Sequence, residues 1–505
     1  MSFLLMVANR KEFFLNTRFM GLDYRVLLVV IVCTSFLLLS PWGSPILNSD
    51  GAIEVLMAFW YRLPDDVYYW GQDRGGSLLP LLSALPVRLL HSDPLLTISV
   101  VRYLIMVAGM LGYFTIIRLP FCRLCFAIAF FLPAFPFSDI PWYTIGIEYS
   151  LLGILVGLSA RILDSSNKPE QSYPIFSHGV FILVSVVAVW VSDAALMTTV
   201  LLAAFLFCKL LPAKKHRNNF MLLQSVALAM TILVWAWLKS MAPIKTDSYS
   251  NLHGIESAGQ SLHQLVHSVI DYLAFRIGDH IVSIGAWCMV MTIAATTLLR
   301  ISIGVRGGGK KPYHVFFFLN AFSLLIMLQF STWLFLNGMG RRYFIGVYVS
   351  LVIALLLWLQ EMSEVKPRFL PAVARSLIGT ALIGVFTTLY HFARHDPGNL
   401  TSVRSRISAL PKDIGIIGNY WNSYIFSIQH PGRVIATPHE RDVVRNPLLV
   451  QEVFRQPRLF LVRDQWMESF PDSIWQFGRR LERIGKERFM AGSYFCEYRI
   501  AVANE

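Results

Sequence analysis

The segment Asn48-Ser49-Asp50-Gly51-Ala52-Ile53-Glu54 follows an apolar run, and Asp50 stands just beyond the end of that run. A carboxylate there can take a proton from an acceptor hydroxyl or amine, with its basicity tuned by low-dielectric surroundings. The same residues also suit a helix N-cap, because Ser49 or Asp50 begins an apolar-periodic stretch, and both readings stay open. A second patch follows as Tyr68-Tyr69-Trp70-Gly71-Gln72-Asp73-Arg74-Gly75-Gly76-Ser77-Leu78. Gln72 and Arg74 lie beside glycines at which backbone amides can approach an anion closely. A turn between two surface helices would want the same glycines.

Further acids fall where the chain leaves other apolar runs. They are Asp139, in a short segment between two runs, Glu148 near the start of the next, and Asp193 between two more. Ionisable groups at such depths are costly to desolvate and default to functional roles. Pairing with Arg102 or Arg341, or snorkelling to the surface, accounts for each acid singly just as well. Two of the acids could hold a divalent cation, although the spacing does not demand one. Arg341-Arg342-Tyr343 follows Asn337-Gly338-Met339-Gly340 at the head of a late apolar run. Two guanidinium groups there suit the phosphate of a lipid carrier, or equally the headgroups of ordinary lipids. His263, His267 and Asp271 form a stripe at helical spacing, but their apolar neighbours point to an interfacial helix rather than a metal site. The Gly307–Lys311 run lacks the spacing of a nucleotide phosphate loop.

The elements that must position these residues are dictated by composition. Of 505 residues, 55% are hydrophobic and only 15% charged, and mean hydropathy is +0.54. Soluble domains carry about 25% charged residues, so the chain reads as a polytopic α-helical membrane protein. Its formal charge of +13 is then a topology signal from basic cytoplasmic loops, with no nucleic-acid partner implied. A crossing needs roughly 20 apolar residues. Runs at 26–41, 96–117, 119–137, 143–160, 178–191, 194–211, 220–238, 282–301, 313–336, 343–360 and 369–390 give about eleven transmembrane helices. The stretch 178–211 is divided at Ser192-Asp193, which returns the basic cluster Lys209, Lys214, Lys215, Arg217 to the inside. The N-terminus is then cytoplasmic, and the long segments 42–95, 239–281 and 391–505 lie outside. Amphipathic stretches at 53–63, 78–91 and 262–275 fit helices on the membrane surface.

Residues 1–390 therefore form a transmembrane domain with a long first outer loop at 42–95, and 391–505 a small extracytoplasmic α/β domain. In the latter, apolar runs shorten to strand length at 414–417, 433–436, 458–462 and 495–500, alternating with helix-like stretches at 447–455 and 472–484.

An aspartate soon after the first span, the Gly71–Leu78 patch, many spans and an outer C-terminal domain resemble the GT-C superfamily of membrane glycosyltransferases. That group includes aminoarabinose transferases, protein O-mannosyltransferases and oligosaccharyltransferases. By this resemblance Asp50 matches the first-loop acid that activates or orients the acceptor, and Asp139 the acid of the second outer loop, for which Glu148 can substitute. Gly71-Gln72-Asp73-Arg74-Gly75-Gly76-Ser77-Leu78 looks like the family's Gly-Gln-x-x-Gly-Ser-Leu with one extra glycine, and Arg341-Arg342-Tyr343 like its late Arg-Tyr. Tyr420-Trp421-Asn422-Ser423-Tyr424 is similar to bacterial members more loosely. Gly51 stands where many relatives carry a second acid, and Asp139 has no acidic neighbour.

The resemblance implies a polyprenyl-phosphate sugar as donor and an envelope glycan or lipid as acceptor. It implies transfer at the periplasmic face of a bacterial inner membrane, with Gln72, Arg74, Arg341, Arg342 and Tyr343 binding substrate. An O-antigen polymerase or ligase would also use outer arginines but not the first-loop aspartate. A transporter would want charges deep in the spans and an internal repeat.

Overall fold

The structure, a computed structural model, describes residues 18–19, 22–43, 47–134, 137–142, 145–166, 174–210, 217–242, 252, 254–273, 313–365, 370–394, 407 and 410–501. These fall into two compact units. One comprises Met1–Leu39, Tyr103–Ser240 and Thr246–Ala393, the other Ser40–Arg102, Met241–Lys245 and Arg394–Glu505.

Apolar runs become helices: α1 (Tyr24–Leu39), α2 (Ser49–Trp60), α3 (Leu78–Leu90), α4 (Pro94–Tyr113), α5 (Pro120–Phe131) and α6 (Ile145–Ser166). They continue with α7 (Ile175–Val191), α8 (Ala195–Leu210), α9 (Arg217–Ser240) and α10 (Ile255–Leu273). Last come α11 (Tyr313–Gln329), α12 (Ile345–Val365) and α13 (Leu370–Arg394). Among the described residues, the segments Pro94–Tyr113, Gly146–Ser165, Asn218–Ser240 and Arg342–Met362 are long and apolar enough to cross a bilayer. The chain is thus an integral membrane protein. The expected break at Ser192-Asp193 is seen, since α7 ends at Val191 and α8 begins at Ala195. The expected span 282–301 and the Gly307–Lys311 run lie outside the described residues.

On α9 the side chains of Leu222, Val226, Leu233 and Trp237 are exposed. Such a surface is unfavourable in water but neutral against acyl chains. Elsewhere in the first unit, helices meet through glycine. A Cβ at Gly112 of α4 would collide with the carbonyl of Gly153 on α6, and one at Gly153 with the carbonyl of Gly109. Without side chains at these points the two backbones come into direct contact, the usual route to helix association in lipid.

The second unit pairs α2 and α3 with a mixed sheet. Its strands are β1 (Ile414–Gly418), β2 (Val434–Pro438), β3 (Arg458–Arg463), β4 (Ser473–Gln476), β5 (Arg479–Arg483), β6 (Arg488–Met490) and β7 (Ser493–Ile500). Their order is β2-β1-β3-β7-β5-β4, with β6 also on β7. β1 runs parallel to β2 and β3, and β7 antiparallel to β3. The continuous apolar run of β1 is buried throughout, as a central parallel strand requires. Ile414, Ile416, Val434, Phe460, Val462 and Phe495 form its core. Two helices, α14 (Tyr420–Ser427) and α15 (Pro447–Arg455), complete the layer.

Two expectations need correction. The stretch 472–484 is not helical but the hairpin β4–β5. Ile474, Phe477 and Leu481 have helical spacing, but Phe477 and Gly478 adopt φ of 52° and 73°, which turns the chain back on itself. The amphipathic stretch 53–63 is not an open surface helix either. It belongs to α2, whose residues Ala52 to Ala58 are all buried. In α3, by contrast, Leu82, Leu85 and Leu89 line one exposed face.

Candidate active site

Helix α2 begins with Asn48 as its cap, the Asn48 Oδ1 accepting from the Gly51 amide at 2.9 Å. The capping role therefore falls to Asn48, not to Ser49 or Asp50. Asp50 occupies the first helical turn. Its Oδ1 accepts from the Tyr420 hydroxyl at 2.7 Å, and its main-chain carbonyl accepts from the Tyr69 hydroxyl at 2.8 Å. The Ser49 hydroxyl donates to the main-chain carbonyl of Tyr420 at 2.5 Å. Burial, and then the Asp50 charge, raise the Tyr69 and Tyr420 phenols well above their ordinary value. Both remain donors at neutral pH.

One turn along α2, Glu54 is buried and paired with Arg102 at 2.5 Å. That pairing takes up the arginine weighed as a partner for the other acids.

The Gly71–Leu78 patch is a compact turn. The Tyr69 amide donates to the Gly75 carbonyl at 2.9 Å and the Ser77 amide to Val67 at 3.2 Å. Gly71 and Gly75 both have φ of +67°, which a side chain would strain. The Arg74 Nε donates to Gln72 Oε1 at 3.2 Å, so the two substrate-binding candidates of the loop hold each other. The loop is anchored to the sheet domain by Arg445, whose Nη1 donates to the Gly71 carbonyl at 3.3 Å and whose guanidinium lies 5.5 Å from the centre of the Tyr420 ring. Asp66 fixes the loop's base, accepting from the Trp70 indole at 2.7 Å and the Arg62 amide at 2.6 Å. Its carboxyl is raised above the usual range, burial being the main cause.

In the other unit, Asp139 is buried in a short helical turn, Asp139–Trp142. Glu148 is buried in the first turn of α6, where it lines a small cavity with Tyr149, Leu152, Thr198 and Thr199. Asp193 has structural partners: the Trp235 indole at 2.8 Å and the Lys239 ammonium at 2.9 Å, both on α9. Arg341, Arg342 and Tyr343 lie in a 3₁₀ turn leading into α12. The Arg342 guanidinium sits 5.1 Å from the centre of the Tyr343 ring, and the Trp333 indole donates to the Tyr343 hydroxyl at 2.9 Å. The His263 and His267 rings approach to 3.2 Å on α10. Among the described residues, no three His, Cys, Asp or Glu side chains gather as a metal site.

Sequence reading missed Arg445 altogether and gave Tyr420 no role. Nothing local marks them, because their partners Gly71 and Asp50 lie far away in the chain.

No protein-family model matches the chain, and no curated protein sequence matches it. Among solved structures, it is similar to ArnT from Cupriavidus metallidurans bound to undecaprenyl phosphate. The TM-score is 0.56 at 11% identity, covering 94% of this chain and 97% of that one. The Archaeoglobus fulgidus oligosaccharyltransferase, in complex with Zn and sulfate, aligns with a TM-score of 0.44 at 11% identity over 86% of this chain and 67% of that one. The likeness to ArnT is one of fold, and at that level the resemblance to the GT-C superfamily is borne out.

Proposed function

We propose that the protein is a glycosyltransferase that moves a monosaccharide from a polyprenyl-phosphate carrier to an envelope glycan or lipid. The reaction would take place on the periplasmic face of a bacterial inner membrane. The observation that carries this reading is the fold shared with the undecaprenyl phosphate-bound ArnT along nearly the whole of both chains. The roughly eleven crossings that place the first loop outside belong to the same proposal.

Asp50 is the general base or acceptor-orienting group. Its carboxylate takes the proton of an acceptor hydroxyl or amine as that atom bonds to the anomeric carbon. The bond from that carbon to the phosphate oxygen breaks, and polyprenyl phosphate leaves with the electron pair. Arg341 and Arg342 neutralise the phosphate charge as it develops, with Tyr343 backing the Arg342 guanidinium. Gln72 and Arg74 shape the sugar site. Asp139 and Glu148 are the further acids of the machinery.

The test is transfer of label from a radiolabelled polyprenyl-phosphate sugar pool into envelope material, in membranes carrying wild-type or Asp50→Asn protein. Transfer by wild type alone is the expected result. Equal transfer by both removes Asp50 from the reaction, and none by either, beside an active control enzyme, removes the glycosyltransferase reading.

A further inference from the structure

Tyr420 touches Asp50 from a domain more than 300 residues further along the chain, and it is held at every polar atom. Its amide donates to Asp442 Oδ2 at 2.7 Å, its carbonyl accepts from Ser49, and its hydroxyl donates to Asp50 Oδ1. The Arg445 guanidinium covers its ring, and the Arg445 amide donates to the Tyr424 hydroxyl at 2.9 Å one turn along α14. Asn419 caps that helix, accepting from the Asn422 amide at 2.9 Å, and its own amide is bound by Asp464 at 3.3 Å. Ring and backbone are thus fixed before the hydroxyl meets the carboxylate.

Asp50 itself makes no other side-chain hydrogen bond to a described residue, so one oxygen is tethered and Oδ2 is left for another partner. The charged and titratable groups around it are Tyr420, Tyr69 and Arg445, with Glu54 on its own helix. An aspartate side chain has two rotatable bonds. A short, charge-assisted bond to a rigid donor selects one orientation and removes that freedom from the reacting state.

We propose that Tyr420 is a positioning residue for transfer, a contribution of the C-terminal domain that aims the Asp50 carboxylate at the acceptor. This rests on the reading of Asp50 as the base or orienting group. The domain then completes the catalytic apparatus of the first outer loop instead of serving only as a cover for it. Its acids Asp442 and Asp464 act on the reaction through the α14 N-terminus, without touching substrate.

The experiment measures initial transfer rates against donor concentration with the full-length, detergent-solubilised protein as wild type, Tyr420→Phe and Asp50→Asn, together with thermal melting of each. Tyr420→Phe removes one hydroxyl and keeps the packed ring. The expected result is a kcat lower by about tenfold or more, with donor KM and melting temperature unchanged, since a hydrogen bond to a charged group is being lost from the reacting geometry. An unchanged kcat in Tyr420→Phe beside an inactive Asp50→Asn overturns the positioning role and leaves the Asp50 reading standing. An active Asp50→Asn overturns both. Should Tyr420→Phe melt early, 3-fluorotyrosine placed at 420 keeps ring and hydroxyl but alters donor strength. A changed kcat at constant KM then supports the role, and an unchanged kcat overturns it.

Discussion

Glu54 lies one helical turn beyond Asp50 on α2, and its carboxylate is 2.5 Å from the guanidinium of Arg102, with side-chain exposures of 5% and 0%. Two acids a turn apart on one buried helix would repel each other if both were unpaired. Arg102 neutralises the inner one, while Asp50 accepts from the Tyr420 hydroxyl instead. Removing one partner of a buried pair strands the other charge, at a cost of about 3–5 kcal/mol. Arg102→Leu should therefore unfold much more readily in melting experiments, and Arg102→Leu combined with Glu54→Leu should recover most of the loss. A single variant as stable as wild type would show that the pair carries no such weight.

Arg342 is expected to act on the donor. A charge-assisted bond to phosphate is worth about 1.5–3 kcal/mol, so Arg342→Ala should raise donor KM about ten- to a hundredfold. Tyr343→Phe keeps the ring beneath the guanidinium and should change KM far less. Equal effects of the two variants in rate-against-donor curves would place the binding energy elsewhere.

His439 stacks on Trp466, with ring centres 4.5 Å apart and planes 9° from parallel. Burial lowers its basicity below the ordinary 6.5, against the opposing charges of Asp442, Asp464 and Glu440 and with a small aid from Arg441. Because the folded pKa is depressed, the unfolded chain takes up the proton first. The contribution of His439 to stability is thus complete above 6.5 and lost as pH falls through the lower folded value. Melting of the full chain at stepped pH below neutrality should show this loss, and His439→Phe should reduce it. An identical pH dependence in the variant would assign the loss to other groups.

The α4–α6 contact predicts a strong effect far from the loop. Gly153→Val places a branched side chain against the Gly109 carbonyl and the Tyr113 ring, neither of which has room for it. Overpacking of this kind costs about 1–3 kcal/mol or more. Lower yield of folded protein in membranes and a reduced melting temperature are expected. By contrast, Gly379→Ala, where a Cβ meets nothing within 4 Å, should be tolerated.

Much of this protein is written locally. Long apolar runs can satisfy their backbone hydrogen bonds in lipid only as helices, so the helices on either side of Ser192-Asp193 and the place of Asp50 after the first run follow from the sequence. The strand-length runs at 414–417 and 458–462 likewise became the parallel centre of the sheet. What was not legible depended on geometry between distant segments. Ile474, Phe477 and Leu481 have the spacing of a helix, yet left-handed backbone at Phe477-Gly478 and pairing of β5 with β7 made them a hairpin. Asn48 took the cap from its neighbours because its side chain, and not theirs, reached the Gly51 amide. The bonds from Tyr420 to Asp50 and from Arg445 to Gly71 join the first loop to the last domain. No periodicity encodes such bonds, because they exist only once two independently formed elements dock in one register. The sequence by itself determined which runs are apolar enough to cross a membrane and that Asp50 follows the first apolar run. Tertiary structure decided what holds that acid, because a hydrogen bond is a matter of a few tenths of an ångström and not of composition.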